Sequence, residues 1–140
     1  MLDEYLLEAI IKEARDGITI SDCTLPDNPL IYVNEAFARM TGYDPQEVIG
    51  KNCRFLQRDK TDLSTSFIIK LAILTQEPCM VTLKNYRKDG SEFWNELSLT
   101  PIPNANGKVT HYLGIQKDVS AQVIFNQKLL EENQLLKSDK

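Results

Sequence analysis

The spacing of apolar residues changes four times along the chain. From Leu2 to Ala14 it is helical, with Leu2, Leu6 and Ile10 along one stripe. Gly17-Ile18-Thr19-Ile20 and Leu30-Ile31-Tyr32-Val33 read as two short strands, separated by a loop from Cys23 to Asn28 that contains Pro26. Several short helices follow. Asn34 can cap Glu35 to Met40, and Gly42 stands where a helix ends in the left-handed conformation. Asp44-Pro45-Gln46-Glu47 has the N-cap acceptor, the N1 proline and the N3 glutamate of a capping box. Asn52 to Leu56 is too short for a free-standing helix. Asp62 can cap a longer one reaching about Leu74, with Phe67, Leu71 and Leu74 on one face. After Pro78 the period becomes two, and Cys79–Arg87, Ser91–Ile102 and Lys108–Asp118 read as antiparallel strands. Lys88-Asp89-Gly90 and Pro103 to Gly107 are the turns between them. The tail, Ser120 to Leu136, is helical again.

Two strands, then helices, then three strands predict an α+β fold: an antiparallel sheet with helices gathered on one face. A cavity between the two layers is a natural small-molecule site. The 140 residues make one domain, and 42% hydrophobic with 26% charged is the balance of a soluble globule. The net charge of −4 comes without a clustered basic stripe, which argues against a nucleic-acid partner. The longest apolar run, Phe67 to Leu74, is far short of a membrane span and is interrupted by Lys70. The first residues, Met1-Leu2-Asp3-Glu4, are acidic where a signal peptide is basic. Cys23, Cys53 and Cys79 form no CxxC pair and no metal-ligand spacing, so free thiols in a reducing cytoplasm are expected.

Strand parity brings out candidate chemistry. One face holds Val81, Leu83 and Asn85, then Asn95, Leu97 and Leu99, then Tyr112, Gly114 and Gln116. Each strand thus sets one primary amide among apolar neighbours. Asn85 and Asn95 share a face only if their hairpin loop has an odd number of residues, which a three-residue loop with left-handed Gly90 provides. A lone strand Asn is commonly a solvated residue. Three amides beside apolar neighbours argue otherwise, because an unpaired buried amide costs ~1–3 kcal/mol. Each amide offers a donor and an acceptor, which suits a heterocycle edge of alternating C=O and N–H. Cys53 lies between Asn52 and Arg54. The single histidine, His111, falls on the face opposite Gln116, so no Cys–His pair is expected.

The run Gly50-Lys51-Asn52-Cys53-Arg54-Phe55-Leu56-Gln57 resembles the signature of light-oxygen-voltage (LOV) flavin photosensors, a branch of the PAS fold. Asn85-Tyr86-Arg87-Lys88-Asp89-Gly90, Phe93-Trp94-Asn95 and Gly114-Ile115-Gln116-Lys117-Asp118 extend the similarity in the same order over residues 17–118. The whole chain is similar to bacterial short LOV proteins: a helical extension at 1–16, a core at 17–118 and a C-terminal helix at 119–140. The resemblance implies a five-stranded antiparallel sheet with helices on one face enclosing FMN, and a blue-light receptor rather than an enzyme. By similarity, Cys53 is the thiol that adds reversibly to the flavin C4a carbon. Asn85 and Asn95 hold the pyrimidine edge, and Gln116 sits at N5 and O4 and signals to the terminal helices. Arg54 and Gln57 approach the ribityl phosphate, with Asn52 beside them. Lys70 stands where relatives often have a second phosphate arginine; Thr61 and Ser66 stand where some place more. The apolar positions Val123, Phe125, Leu129, Leu130 and Leu136 and the N-terminal stripe suggest a homodimer through the terminal helices. A downstream protein partner is implied as well. Two rivals are a PAS-type module that binds another ligand or only dimerises, and a redox flavoprotein. The second lacks a Gly-rich dinucleotide fingerprint.

Overall fold

The computed structural model describes residues 2–58 and 60–138, so Met1, Asp59 and the last two positions of the C-terminal segment lie outside it. Helix α1 (Glu4–Glu13) opens on Asp3, whose carboxylate accepts the Leu6 N–H at 2.7 Å. Strands β1 (Gly17–Asp22) and β2 (Leu30–Val33) follow, then α2 (Glu35–Thr41), α3 (Pro45–Val48) and a 3₁₀ turn, Cys53–Leu56. Helix α4 (Leu63–Thr75), strands β3 (Cys79–Tyr86), β4 (Glu92–Pro103) and β5 (Val109–Asp118), and helix α5 (Ser120–Ser138) complete the chain.

The local signals act as their chemistry dictates. Asn34 caps α2 and Gly42 ends it at φ +77°. Asp44 and Glu47 close a reciprocal capping box around α3. Asp62 caps α4 through the Ser64 N–H. Asn34 does more than cap. Its Oδ1 accepts the N–H groups of Ile18 and Phe37, and its Nδ2 donates to the carbonyls of Ile11 and Asp16, so one buried amide joins the end of α1, β1 and α2.

The five strands form one antiparallel sheet in the order β2-β1-β5-β4-β3. The last strand therefore lies at the centre, between the first and the fourth. Helices α2 to α4 and the 3₁₀ turn cover one face. Their core consists of Leu30, Val33, Phe37, Val48 and Leu56, with Tyr43, Cys53 and Phe55 packed against it.

Helix α4 departs from the simple amphipathic picture. Phe67, Leu71 and Leu74 do share a face, but that face is largely exposed, at 64%, 47% and 81%, and of the three Leu74 alone borders the cavity. The opposite side supplies Ile69, Lys70 and Ile73 to a cavity against the sheet, with Ala72 buried. The helix is apolar around nearly its whole circumference, so periodicity gives it no preferred side.

Candidate functional site

A cavity of about 560 Å³ lies between the sheet and the helices. Its sheet wall carries the three amides. The β3–β4 register sets Leu83 opposite Asn95 and Asn85 opposite Phe93, so Asn85 and Asn95 share the inner face. Gly90 takes φ +88° in the loop that fixes this parity. In the β4–β5 register Gln116 lies opposite Leu97, on the same face. Asn85, Asn95 and Gln116 are all buried. Asn95 Nδ2 donates to Asn85 Oδ1 at 2.9 Å, and Asn85 Nδ2 to the Lys84 carbonyl at 3.2 Å. Gln116 Nε2 donates to Thr19 Oγ1 at 3.1 Å.

Two acceptors on this wall, Asn95 Oδ1 and Gln116 Oε1, are buried with no donor. Each would cost ~1–3 kcal/mol if left so, and two on one cavity wall fit a polar ligand edge. An oxidised flavin edge carries one N–H between two carbonyls: Asn95 Oδ1 can accept it, and Gln116 meets the ring's acceptors once its amide turns to present Nε2.

Cys53 enters from the helical side, as the first residue of the 3₁₀ turn and against the Leu30–Phe37–Val48 core. Desolvation pushes its thiol up to about 12, so the sulfur is protonated at neutral pH. Thiolate attack of the ordinary kind is therefore closed to it. His111 gives it no help. It lies on the outer face, with Thr110 Oγ1 2.8 Å from Nδ1 and Asp22 4.0 Å from Nε2. All three cysteines are free, and among the described residues no group of His, Cys, Asp and Glu could hold a metal.

The mouth is polar. Asn52 Oδ1 caps the 3₁₀ turn through the Arg54 N–H, and its Nδ2 donates to the Asp27 carbonyl at 2.8 Å. Arg54 forms an end-on ion pair with Asp27. Gln57 Oε1 accepts from Ser66 Oγ at 3.1 Å, and Lys70 lines the cavity from α4. Thr61 is elsewhere. It is buried, accepts the Arg58 N–H and donates to the Lys84 carbonyl, so an arginine there would break a folded contact rather than reach the mouth.

Sequence reasoning missed Thr19 and Asp27. Thr19 has the parity of the inner face, but only the β1–β5 register, which pairs it with Gly114, brings it to Gln116. Asp27 gave no signal beyond its place in a turn.

The PAS domain family matches residues 15–121. The bacterioopsin transcriptional activator of Halobacterium salinarum is 46% identical over 134 residues, which are 96% of this chain and 20% of that protein. A light-oxygen-voltage domain studied with a flavin analogue is 39% identical with a TM-score of 0.79, covering 94% of this chain and 97% of that one. The LOV domain of the Erythrobacter litoralis EL346 blue-light activated histidine kinase is 42% identical with a TM-score of 0.74, covering 77% and 99%. This chain belongs to the PAS domain family and, within it, to the LOV domains. It spans about a fifth of the length of the curated relatives it matches.

Proposed function

We propose that this chain is a blue-light receptor whose cavity binds FMN. The observation that carries the reading is the pair of orphaned acceptors, Asn95 Oδ1 and Gln116 Oε1, on a wall that also holds Asn85. Kinship with the LOV domain of a blue-light activated histidine kinase supports it. A bound flavin would supply, on excitation, the carbon to which Cys53 Sγ adds; the S–H proton would pass to the ring nitrogen facing Gln116, and both would return when the bond breaks in the dark. The thiol's proton stays in place until then, because burial holds it there. Asn85 and Asn95 orient the ring edge. Arg54, Gln57 and Lys70, with Asn52 behind them, hold the phosphorylated chain.

Gln116 converts a protonation change into a structural one. Its partner Thr19 is a hydroxyl, which accepts from Nε2 as found and can equally donate to Oε1. A half-turn of the amide therefore replaces the free acceptor Oε1 by the donor Nε2 without orphaning the other end. Gln116 lies on the strand that feeds α5, with one residue, Val119, between β5 and that helix. The exposed apolar positions of α1 and α5 support a homodimer through the terminal helices as the path outward, to a downstream protein partner. The segments 1–16 and 119–140 then act as relays around a sensory core at 17–118, with no turnover of substrate.

An absorption spectrum of the purified chain before and after blue illumination, followed in the dark, tests this. The wild type should bleach and recover, and Cys53→Ala should stay yellow and fluorescent without bleaching. A colourless protein, or a Cys53→Ala variant that bleaches and recovers like the parent, would overturn the assignment.

A further inference from the structure

One wall of the cavity is held lightly by the rest of the molecule. That wall is α4, which contributes Leu63, Ser66, Ile69, Lys70, Ile73 and Leu74 to the lining. Only Ala72 of its thirteen residues is buried, and none joins the core of Leu30, Val33, Phe37, Val48 and Leu56. Of the strands it meets chiefly β3, the edge of the sheet, and among the described residues it shares no backbone hydrogen bond with any strand. The other walls are built differently. The strands are joined by continuous ladders, and Cys53 of the 3₁₀ turn packs against the core. Segments with few buried apolar contacts are the ones that open locally at low cost.

Both ends of α4 are pinned. Thr61, just before it, is buried and bonded to Arg58 and Lys84. After it, Gln76 turns the chain at φ +55° towards Pro78 and β3. Between these pins, and beyond the helix's own cap, two side-chain hydrogen bonds among the described residues fasten it to the body. Near its start Ser66 Oγ donates to Gln57 Oε1 at 3.1 Å. Near its end the Tyr112 hydroxyl donates to the Ile73 carbonyl, also at 3.1 Å. The second bond comes from the centre of the sheet, since Tyr112 is buried on β5, the strand that carries Gln116. Ile73 belongs to the last turn of α4, where carbonyls lack an intrahelical N–H in the regular pattern. Its carbonyl also accepts the Gln76 N–H at 3.3 Å, so losing the hydroxyl would loosen the fastening without orphaning the carbonyl.

We infer that α4 is the gate through which ligand enters and leaves this cavity, and that Tyr112 is the positioning residue that latches it. The latch bond is made whenever the gate is shut, with ligand or without, so it sets the rates of exchange and leaves affinity alone. Removing one hydrogen bond whose acceptor keeps another partner should shift the opening equilibrium about two- to tenfold. The inference deepens the FMN reading and rests on it for its probe.

The test compares the full chain with Tyr112→Phe, which keeps the ring and removes the hydroxyl, in the dark. Binding is followed by flavin fluorescence after mixing the flavin-stripped chain with FMN, and release after dilution of the loaded chain. The variant should speed both steps by the same factor, about two- to tenfold, with Kd within about twofold of the parent. If Tyr112 acted only by touching the ligand, Kd would weaken through release alone; if the gate lay elsewhere, neither rate would move. Either result overturns the inference. Hydrogen exchange of the flavin-stripped proteins gives a reading that needs no ligand. In the wild type, amides over 66–75 should exchange ahead of those of β4 and β5, and Tyr112→Phe should quicken them further while leaving the strands as they were. Equal protection of α4 and those strands in the wild type, or unchanged exchange over 66–75 in the variant, overturns the gate. If FMN binds neither protein, the FMN reading fails, and exchange over α4 still decides this one.

Discussion

Gly114 leaves the space in which Gln116 and Thr19 meet, and adding one carbon there has a calculable cost. Gly114 and Thr19 face each other directly across the β5–β1 pair. A Cβ on residue 114 would lie 2.3 Å from Thr19 Oγ1, 2.9 Å from Gln116 Nε2 and 3.5 Å from Leu99 Cδ2. The first distance is far inside van der Waals contact. Thr19 cannot swing aside cheaply, being buried and stiff at χ1. Overpacking of this kind costs ~1–3 kcal/mol, and loss of the Gln116–Thr19 bond adds ~0.5–1.5 kcal/mol. Gly114→Ala should therefore destabilise the fold by ~2–4 kcal/mol, a large part of the ~5–15 kcal/mol typical of a domain. Urea unfolding followed by circular dichroism reads this as a lower midpoint at unchanged slope. The sharper test is a cycle with Thr19→Ala, which removes the oxygen that the new methyl strikes. The double variant should cost ~1–3 kcal/mol less than the sum of the singles. Additivity to within ~0.5 kcal/mol would refute the steric account.

The folded chain keeps the Cys53 proton up to about pH 12, whereas a thiol in the unfolded chain releases it near ~8.5. Stability that is intact below ~8.5 should fall as pH rises toward 12, and Cys53→Ala should flatten the decline; superimposable pH curves would sink this. Gln116→Leu should leave light-driven bleaching intact but shrink the lit-minus-dark difference in hydrogen exchange over α5, and an undiminished difference would count against Gln116 as the relay. Phe125 and Leu130 of α5 are 61% and 62% exposed; replacing both by Gln should shift sizing and scattering profiles toward monomer, and a wild type already monomeric would dismiss the dimer.

What the sequence revealed follows the distance over which each feature is determined. Asn85 and Asn95 could be placed on one face because ten residues and one turn decide their parity. The capping box at Asp44 and the left-handed Gly42 are equally local. Thr19 and Gln116 meet through a register that joins positions 97 residues apart, and no local pattern encodes it. The Arg54–Asp27 pair depends on how a loop folds over a 3₁₀ turn, again beyond periodicity. Helix α4 fails for a different reason. Apolar residues surround it, so the stripe of Phe67, Leu71 and Leu74 held no information about which side meets the sheet.

The position of β5 has a consequence for synthesis. On the ribosome β1–β2 and β3–β4 can each form as a hairpin, but neither can join the other before residues 109–118 emerge between them. Until then the two halves expose unpaired edges, the kind of surface that invites misassembly in partly made chains. Gln116 and Tyr112 arrive with that strand, so the cavity wall is finished nearly last. A ligand that needs the completed wall can be captured only after residues 109–118 have left the ribosome and paired with both hairpins.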